Sequence, residues 1–377
     1  MDEGSYRERF PAFKRWVVKI GSALLSEEGL GLNTRRVEDW SAQIAALVKQ
    51  DCEVALVSSG AVAEGCHRLG LEQRPQNMHL LQAAAAVGQM GLIQAYEAAF
   101  QKHGLHTAMV LLTHEDLSDR KRYLNARSTL RTLLKQGVVP VINENDTVAT
   151  EEIRFGDNDT LAALVTNLIE ADALVILTDQ RGLYEMDPRQ NPTAPLVRFA
   201  RIDAPELDTM VSAESGKLGR GGMVTKLSAA RLAARSGALT VIASGREAGV
   251  LSRISGGASV GTLLGGRFEP LDARKRWIVG QLKARGRLTL DAGAVKVLCE
   301  GGKSLLPVGV SESLGSYARG DVVLCLSPEG KPVAKGLINY SSEQAERILG
   351  CNSDEIEARL GFLEEPELVH RDNLVLL

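Results

Sequence analysis

The sequence predicts an α/β protein: a doubly wound, mostly parallel sheet followed by a small, mostly β domain. Three observations carry this. Between residues 15 and 245, six short apolar runs (VVKIGS, VALVSSG, MVLLTHED, VVPVINEND, ALVILTD and LTVIASG) alternate with longer helical stretches. The runs lack in–out alternation, which marks strands covered on both faces, and the helices between them supply the crossovers that parallel pairing requires. From about Leu271 the texture changes to short runs broken by Gly and Pro, as in GRLTLDAGAVKVLCEGGKSLLPVGV and GDVVLCLSPEGKPVAKGLINY, a pattern of short strands and turns. At 377 residues the chain exceeds the usual size of one domain, and the expected boundaries are 12–268 and 275–360, joined around FEPLDARKRW.

Taken in order, the first strand raises a question at once. In RWVVKIGSALL, Lys19 interrupts the apolar run of Val17, Val18 and Ile20. Burying an unpaired charge is costly, so this ammonium either snorkels to the sheet edge or meets an anion. TRRVEDWSAQIAALVKQ then sets Val37, Trp40, Ile44 and Leu47 on one helical stripe. QAAAAVGQMGLIQAYEAAF is rich in Ala and Gly, so its helix is expected to pack closely against another, within the chain or across a dimer. LVTNLIEADA and KLSAARLAARSGA read as helices that end before fresh strands.

Each apolar run closes in polar or small residues: Gly21-Ser22, Ser58-Ser59-Gly60, Asn143-Glu144-Asn145-Asp146, Thr178-Asp179 and Ser244-Gly245. Open α/β sheets bind ligands beyond the carboxyl ends of their strands, so the clusters are expected to face one crevice. Any one of them alone would serve as an ordinary turn or cap; five together point to a site.

Composition excludes several classes. Lys and Arg number 44 against 47 Asp and Glu, a balance that argues against a protein devoted to nucleic acid or anionic membrane. The five cysteines are scattered, with no CxxC pair, so neither a disulfide framework nor a zinc knuckle is expected. No apolar run reaches the ~18 residues of a membrane span, and residues 1–15 contain no apolar leader core. A reduced, cytoplasmic protein is expected. Gly301-Gly302-Lys303-Ser304 resembles the end of a Walker A loop, but position 297 is Val rather than Gly. HExxH, GxSxG and protein-kinase signatures are missing, and His103 and His106 fall in a helix-to-strand connection.

Two motifs carry chemistry. In GRGGMVTKLSAARLAARSG, Gly219, Gly221 and Gly222 precede a helix whose first turn holds Thr225 and Lys226. Glycines let backbone amides approach a phosphate, and a first-turn lysine is unfavourable for the helix dipole unless an anion offsets it. In GDNDTLAALV, Asp157 or Asn158 serves as the helix cap, leaving Asp159 as a first-turn carboxylate that either joins the capping or holds two lysine ammonium groups, Lys19 and Lys226. The latter arrangement would aim Lys19 at a phosphoryl group in transit.

The order and spacing of VVKIGS, VSSGAV, AAVGQMGLIQ, NARSTL, VVPVINENDTVATEEIRFGDNDTLAALV, LTDQRGLYEMDPR and GGMVTKLSAA resemble the amino acid kinase family over nearly the whole chain, and the tail from about residue 275, with GRLTLDAGAVKVL and SLLPVGV, resembles a PUA domain. The chain resembles members that phosphorylate the γ-carboxylate of L-glutamate with ATP, giving glutamyl 5-phosphate on the way to proline. It implies that Lys19 and Lys226 stabilise the transferring phosphoryl group and that Asp159 organises them. It implies further that Ser59, Asp146 and Asn158 bind glutamate, and that Lys19, Thr178, Asp179, Gly221, Gly222, Met223, Val224, Thr225 and Lys226 bind ATP. Mg²⁺ would be held largely through the nucleotide phosphates, with no dedicated metal site on the protein. A homo-oligomer, dimer or tetramer, inhibited by proline is also implied. Arg220 departs from the family pattern, which has a small hydroxyl residue there.

The rivals are family members acting on acetylglutamate, aspartate, carbamate or a nucleoside monophosphate, and an RNA-binding protein acting through the PUA domain. Asp146 speaks against acetylglutamate, because its carboxylate suits a free α-ammonium and an acetamide would leave it unpaired. From Ala273 onward Lys and Arg number 14 against 14 Asp and Glu, although residues 273–303 alone hold 8 against 2. RNA contact is thereby kept open but disfavoured as the main function.

Overall fold

The computed structural model describes residues 2–27, 31–148, 158–212, 222–266, 284–301, 303–363 and 365–377. Asp157, the loop residues Gly219, Arg220 and Gly221, and the FEPLDARKRW joint lie outside the described residues. The chain divides into two compact units, Met1–Leu117 with Asn125–Pro270, and Leu271–Leu377 with Ser118–Leu124.

In the first unit all six expected strands form: β1 (Arg15–Ile20), β2 (Glu53–Ser58), β3 (Thr107–Leu112), β4 (Val139–Glu144), β5 (Ala173–Thr178) and, after one further short strand, β7 (Leu239–Ser244). That short strand, β6 (Phe199–Arg201), and β8 (Thr262–Gly265) complete an eight-stranded sheet in the order β3-β4-β2-β1-β5-β7-β8-β6. All neighbours pair in parallel except β7 with β8. Every residue of β5 and β7, and all of β1 after Arg15, is buried, as continuous apolar runs require of strands covered on both faces; β3 departs from that expectation, because it lies at the sheet edge with Met109 exposed and only Leu112 buried.

The crossovers are helical. Helix α1 (Thr34–Val48) buries Val37, Trp40, Ile44 and Leu47 and takes Asn33 as its N-cap. After it come α2 (Ala61–Arg68), α3 (Met78–Gln101), α4 (Arg120–Lys135), α5 (Asn158–Ile169) and α6 (Met223–Ala233). The Ala- and Gly-rich α3 packs closely within the chain, against α2. A Cβ on Gly65 would lie 1.6 Å from the carbonyl oxygen of Ala84, and one on Gly88 would lie 1.8 Å from that of Ala61. Only bare backbone fits there. Helix α5 packs across β1, β2, β4 and β5 and against α6, so its first turn meets the carboxyl ends of the central strands.

Strand order reverses beside β1: β2 lies on one side of it and β5 on the other. This is the switch point at which open α/β sheets leave a crevice. The backbone ladder continues past the strand ends, since Gly21 N–H donates to Leu177 O at 3.1 Å, Ser59 N–H to Ile20 O at 3.3 Å and Gly245 N–H to Thr178 O at 2.9 Å. Those bonds fix the small polar turns in position.

The second unit has its own core, centred on Leu288, Val323, Ile338, Tyr340 and Ile348. Its five-stranded sheet has the order β10-β9-β11-β12-β13, with β9 at Gly286–Leu290, β10 at Val310–Gly315, β11 at Val322–Leu326, β12 at Pro332–Leu337 and β13 at Leu374–Leu376. The run AGAVKVLCEG, which sequence texture groups with strands, is a helix at Ala292–Gly301, started by Asp291, whose carboxylate accepts from Ala294 N–H at 2.6 Å. No described helix is long and apolar enough to cross a membrane, and all five cysteines are free thiols.

Candidate active site

Lys19 reaches an anion. It sits one residue before the end of β1, is 6% exposed, and places Nζ 2.6 Å from Asp159 Oδ1. Lys226, from the first turn of α6 and equally buried, places its Nζ 3.1 Å from Asp159 Oδ2. Thr225 Oγ1, next to it, lies 2.9 Å from Asp159 Oδ2 and 2.8 Å from Gly222 O. One carboxylate, itself 2% exposed, thus ties together the central strand and two helix starts. Burial alone pushes the Asp159 carboxyl up. The charges of Lys19 and Lys226, with hydrogen bonds from Lys19 and Thr225, outweigh burial and hold it below its ordinary value.

The cluster carries two positive charges and one negative. Two ammonium groups thus share the Asp159 carboxylate beside the start of α6, whose N-cap Gly222 offers no side-chain cap. Among the described residues, none would lie within 4 Å of a Cβ at Gly222. Helix N-termini favour anions.

Toward β2 and β4 the crevice is neutral and polar. Asn158 Nδ2 donates to Ser59 Oγ and to Asn143 Oδ1, both at 2.9 Å. Asn143 Nδ2 donates to Gln89 Oε1 of α3 at 2.8 Å. Beneath them the Ser58 hydroxyl lies 3.0 Å from that of Tyr96, whose complete burial pushes its own ionisation far up.

Of the residues singled out from the sequence, Lys19, Asp159, Lys226 and Thr225 meet in one cluster, and Asn158 and Ser59 in the adjoining polar ladder. Asp146 is half-buried two residues past β4 and lines a pocket shared with Gln89 and Asn145. Thr178 is buried at the end of β5 and lies 3.0 Å from the exposed Asp179 carboxylate; Met223 is buried and Val224 exposed at the start of α6. Gly221 lies outside the described residues. Sequence reasoning gave no role to Gln89 and named Asn143 only as part of a strand-end cluster. A signal for Gln89 existed, because it falls on the stripe of Ala85, Gly88, Leu92 and Tyr96 that α3 buries, where a polar side chain has to find partners.

The amino acid kinase family model matches residues 14–244, and the PUA domain model matches residues 286–360. A glutamate 5-kinase from Thioalkalivibrio sulfidiphilus (strain HL-EbGR7) is 62% identical over 371 residues, covering 98% of this chain and 99% of that protein. Glutamate 5-kinases from Nitrosococcus oceani and from Pseudomonas syringae pv. tomato are each 59% identical, over 374 and 371 residues, with 99% and 98% of this chain and all of each relative covered.

Proposed function

The chain belongs to the amino acid kinase family, and from that membership we infer an ATP-dependent kinase that phosphorylates the γ-carboxylate of L-glutamate, opening proline biosynthesis. The observation that carries the chemistry is the buried pair of lysines, Lys19 and Lys226, held on the Asp159 carboxylate.

In the reaction a γ-carboxylate oxygen forms a bond to the γ-phosphorus of ATP while the bond from that phosphorus to the β,γ-bridging oxygen breaks. ADP leaves with the electron pair, and the product is an acyl phosphate. No proton moves, because a carboxyl of ordinary pKa, about 4.3, is already ionised at neutral pH. Catalysis reduces to positioning and charge. Lys19 and Lys226 offset the negative charge spread over the transferring group and the leaving oxygen, and Asp159 keeps the two ammonium groups apart and aimed. The start of α6, whose N-cap Gly222 carries no capping side chain, suits the nucleotide phosphates, with Thr178 and Asp179 at the end of β5.

Mg²⁺ is expected to enter on those phosphates. Both Asp159 oxygens are engaged by lysines, and no group of three His, Cys, Asp or Glu able to hold a metal occurs among the described residues. When bound, the ion supplies further charge neutralisation. The reading assigns this chemistry to residues 12–268 and leaves 275–360 as a separate PUA domain.

The test is a hydroxylamine trap for acyl phosphate with ATP, Mg²⁺ and a panel of acids. Hydroxamate is expected from glutamate, with little from N-acetylglutamate, aspartate or carbamate. A stronger signal from any of those would replace the substrate named here.

A further inference from the structure

The polar ladder ends on an amide with unused capacity. The backbone N–H of Glu144 only donates, and it donates to Asn143 Oδ1 at 2.9 Å, which fixes the carbonyl end of Asn143. Asn143 Nδ2 therefore donates to Gln89 Oε1 at 2.8 Å, and that fixes Gln89 in turn. Its Nε2 is left buried with no partner. Gln89 is 7% exposed, and a buried donor without an acceptor costs about 1–3 kcal/mol. Nor can α3 withdraw to relieve it, because the adjacent Gly88 is seated directly on the backbone of α2. Gln89 lines a pocket of about 220 Å³ together with Asn145 and Asp146.

We propose that Gln89 is a specificity-determining residue whose Nε2 donates to the α-carboxylate of the substrate, while Asp146 on the same pocket takes the α-ammonium. This rests on the glutamate reading above. The geometry assigns the ends of the substrate: Asn158 contacts Asn143 directly, next to the lysine cluster, whereas Gln89 lies one residue further along the ladder. The reacting γ-carboxylate therefore belongs at the Asn158 end and the amino-acid head at the Gln89 end. A carboxylate there satisfies the orphaned donor, and a neutral amide accepts that carboxylate without competing with the substrate ammonium for Asp146. The cost of leaving Nε2 unpaired in the free enzyme becomes discrimination against acids lacking an α-carboxylate.

Gln89→Glu separates this role from a structural one. The new side chain keeps an oxygen that accepts from Asn143 and replaces the free donor with a second carboxylate oxygen. If Gln89 only held Asn143, little would change. Instead KM for glutamate should rise by about 10–100-fold, with KM for ATP and the thermal melt close to wild type. With 4-aminobutanoate, which keeps the reacting carboxylate and lacks the α-carboxylate, kcat/KM of the variant should match that of the wild type. An unchanged glutamate KM, or equal losses on both substrates, overturns the proposal. Should Gln89→Glu melt early, Gln89→Met is measured the same way: without the donor the glutamate KM rises by about tenfold, and an unaltered value overturns it. If the wild type forms no acyl phosphate from glutamate, the reading and this inference fall together. If it does and the variants bind glutamate normally, only the inference falls.

Discussion

Asp159→Asn probes the charge cluster most directly. The carboxylate holds Lys19 at 2.6 Å and Lys226 at 3.1 Å from separate oxygens, with 2% of its surface exposed. An amide of the same shape leaves two buried ammonium groups facing a neutral dipole. At an effective dielectric of about 20, each contact represents roughly 5–6 kcal/mol of gross attraction, most of which offsets desolvation. The expected net cost is about 3–5 kcal/mol, as when one partner is stripped from a buried pair. For a unit of this size that is a fall in Tm of about 6–20 °C. The folded Asp159 carboxyl lies below its unfolded value, so its contribution is fully present above about pH 4 and is lost as pH falls through the folded value. The gap between wild type and variant should therefore be constant near neutral pH and shrink only below about pH 4. Adding Lys226→Met removes one orphaned ammonium, so the double variant should regain stability while remaining a poor kinase. Thermal melts of the three proteins across that range, beside glutamate-dependent ADP release, make the test. An unchanged Tm for Asp159→Asn, or a double variant no more stable than the single, would refute the reasoning.

Lys19→Ala leaves Asp159 and Lys226 as a balanced pair, so the fold should survive while kcat falls by about 10³, roughly 4 kcal/mol, and ATP binding weakens far less; normal turnover would reduce Lys19 to a structural ion pair. Asp146→Asn removes a charge-assisted contact of roughly 1.5–3 kcal/mol, so KM for glutamate should rise by about 10–150-fold with KM for ATP little altered, and an unmoved glutamate KM in steady-state kinetics counts against the assignment. A chain ending after Pro270 should fold and retain kinase activity, because each unit has its own apolar core and all proposed site residues precede Lys226 or are Lys226 itself. A soluble, folded truncation without glutamate-dependent ADP release would contradict it.

The long, fully buried strands were legible because continuous Val, Ile and Leu runs have few alternatives at that length. Phe199–Arg201 and Thr262–Gly265 were not, since three or four residues carry no period and their pairing is decided by neighbours far away in sequence. The helix at Ala292–Gly301 was lost for a different reason. Its Val and Gly content looks like strand texture, and only the Asp291 cap and the tertiary setting turn it into helix. At the site, Lys19 and Asp159 declared themselves as charges out of place in apolar or capping contexts. Gln89 did not, and Asn143 did so only as one of a strand-end cluster, because an uncharged amide is cheap to explain away in a sequence, and its significance appears only when every donor and acceptor around it is counted.

That contrast follows from what each half of the crevice has to do. At the reacting end the charge on the phosphoryl group changes during transfer, so fixed full charges are needed. Lys19 and Lys226, both held on the Asp159 carboxylate, supply such charges before ATP arrives. At the other end the substrate arrives and leaves with the same charges, one positive and one negative, and nothing develops. Another ammonium near Asp146 would pair with it and compete with the substrate. A neutral ladder of Ser59, Asn158, Asn143 and Gln89 reads the shape and hydrogen-bonding pattern of the head group and leaves Asp146 to read its positive charge. Substitutions along the ladder should therefore act mainly on KM, and those in the lysine cluster mainly on kcat, a split that a structural role for either set would not produce.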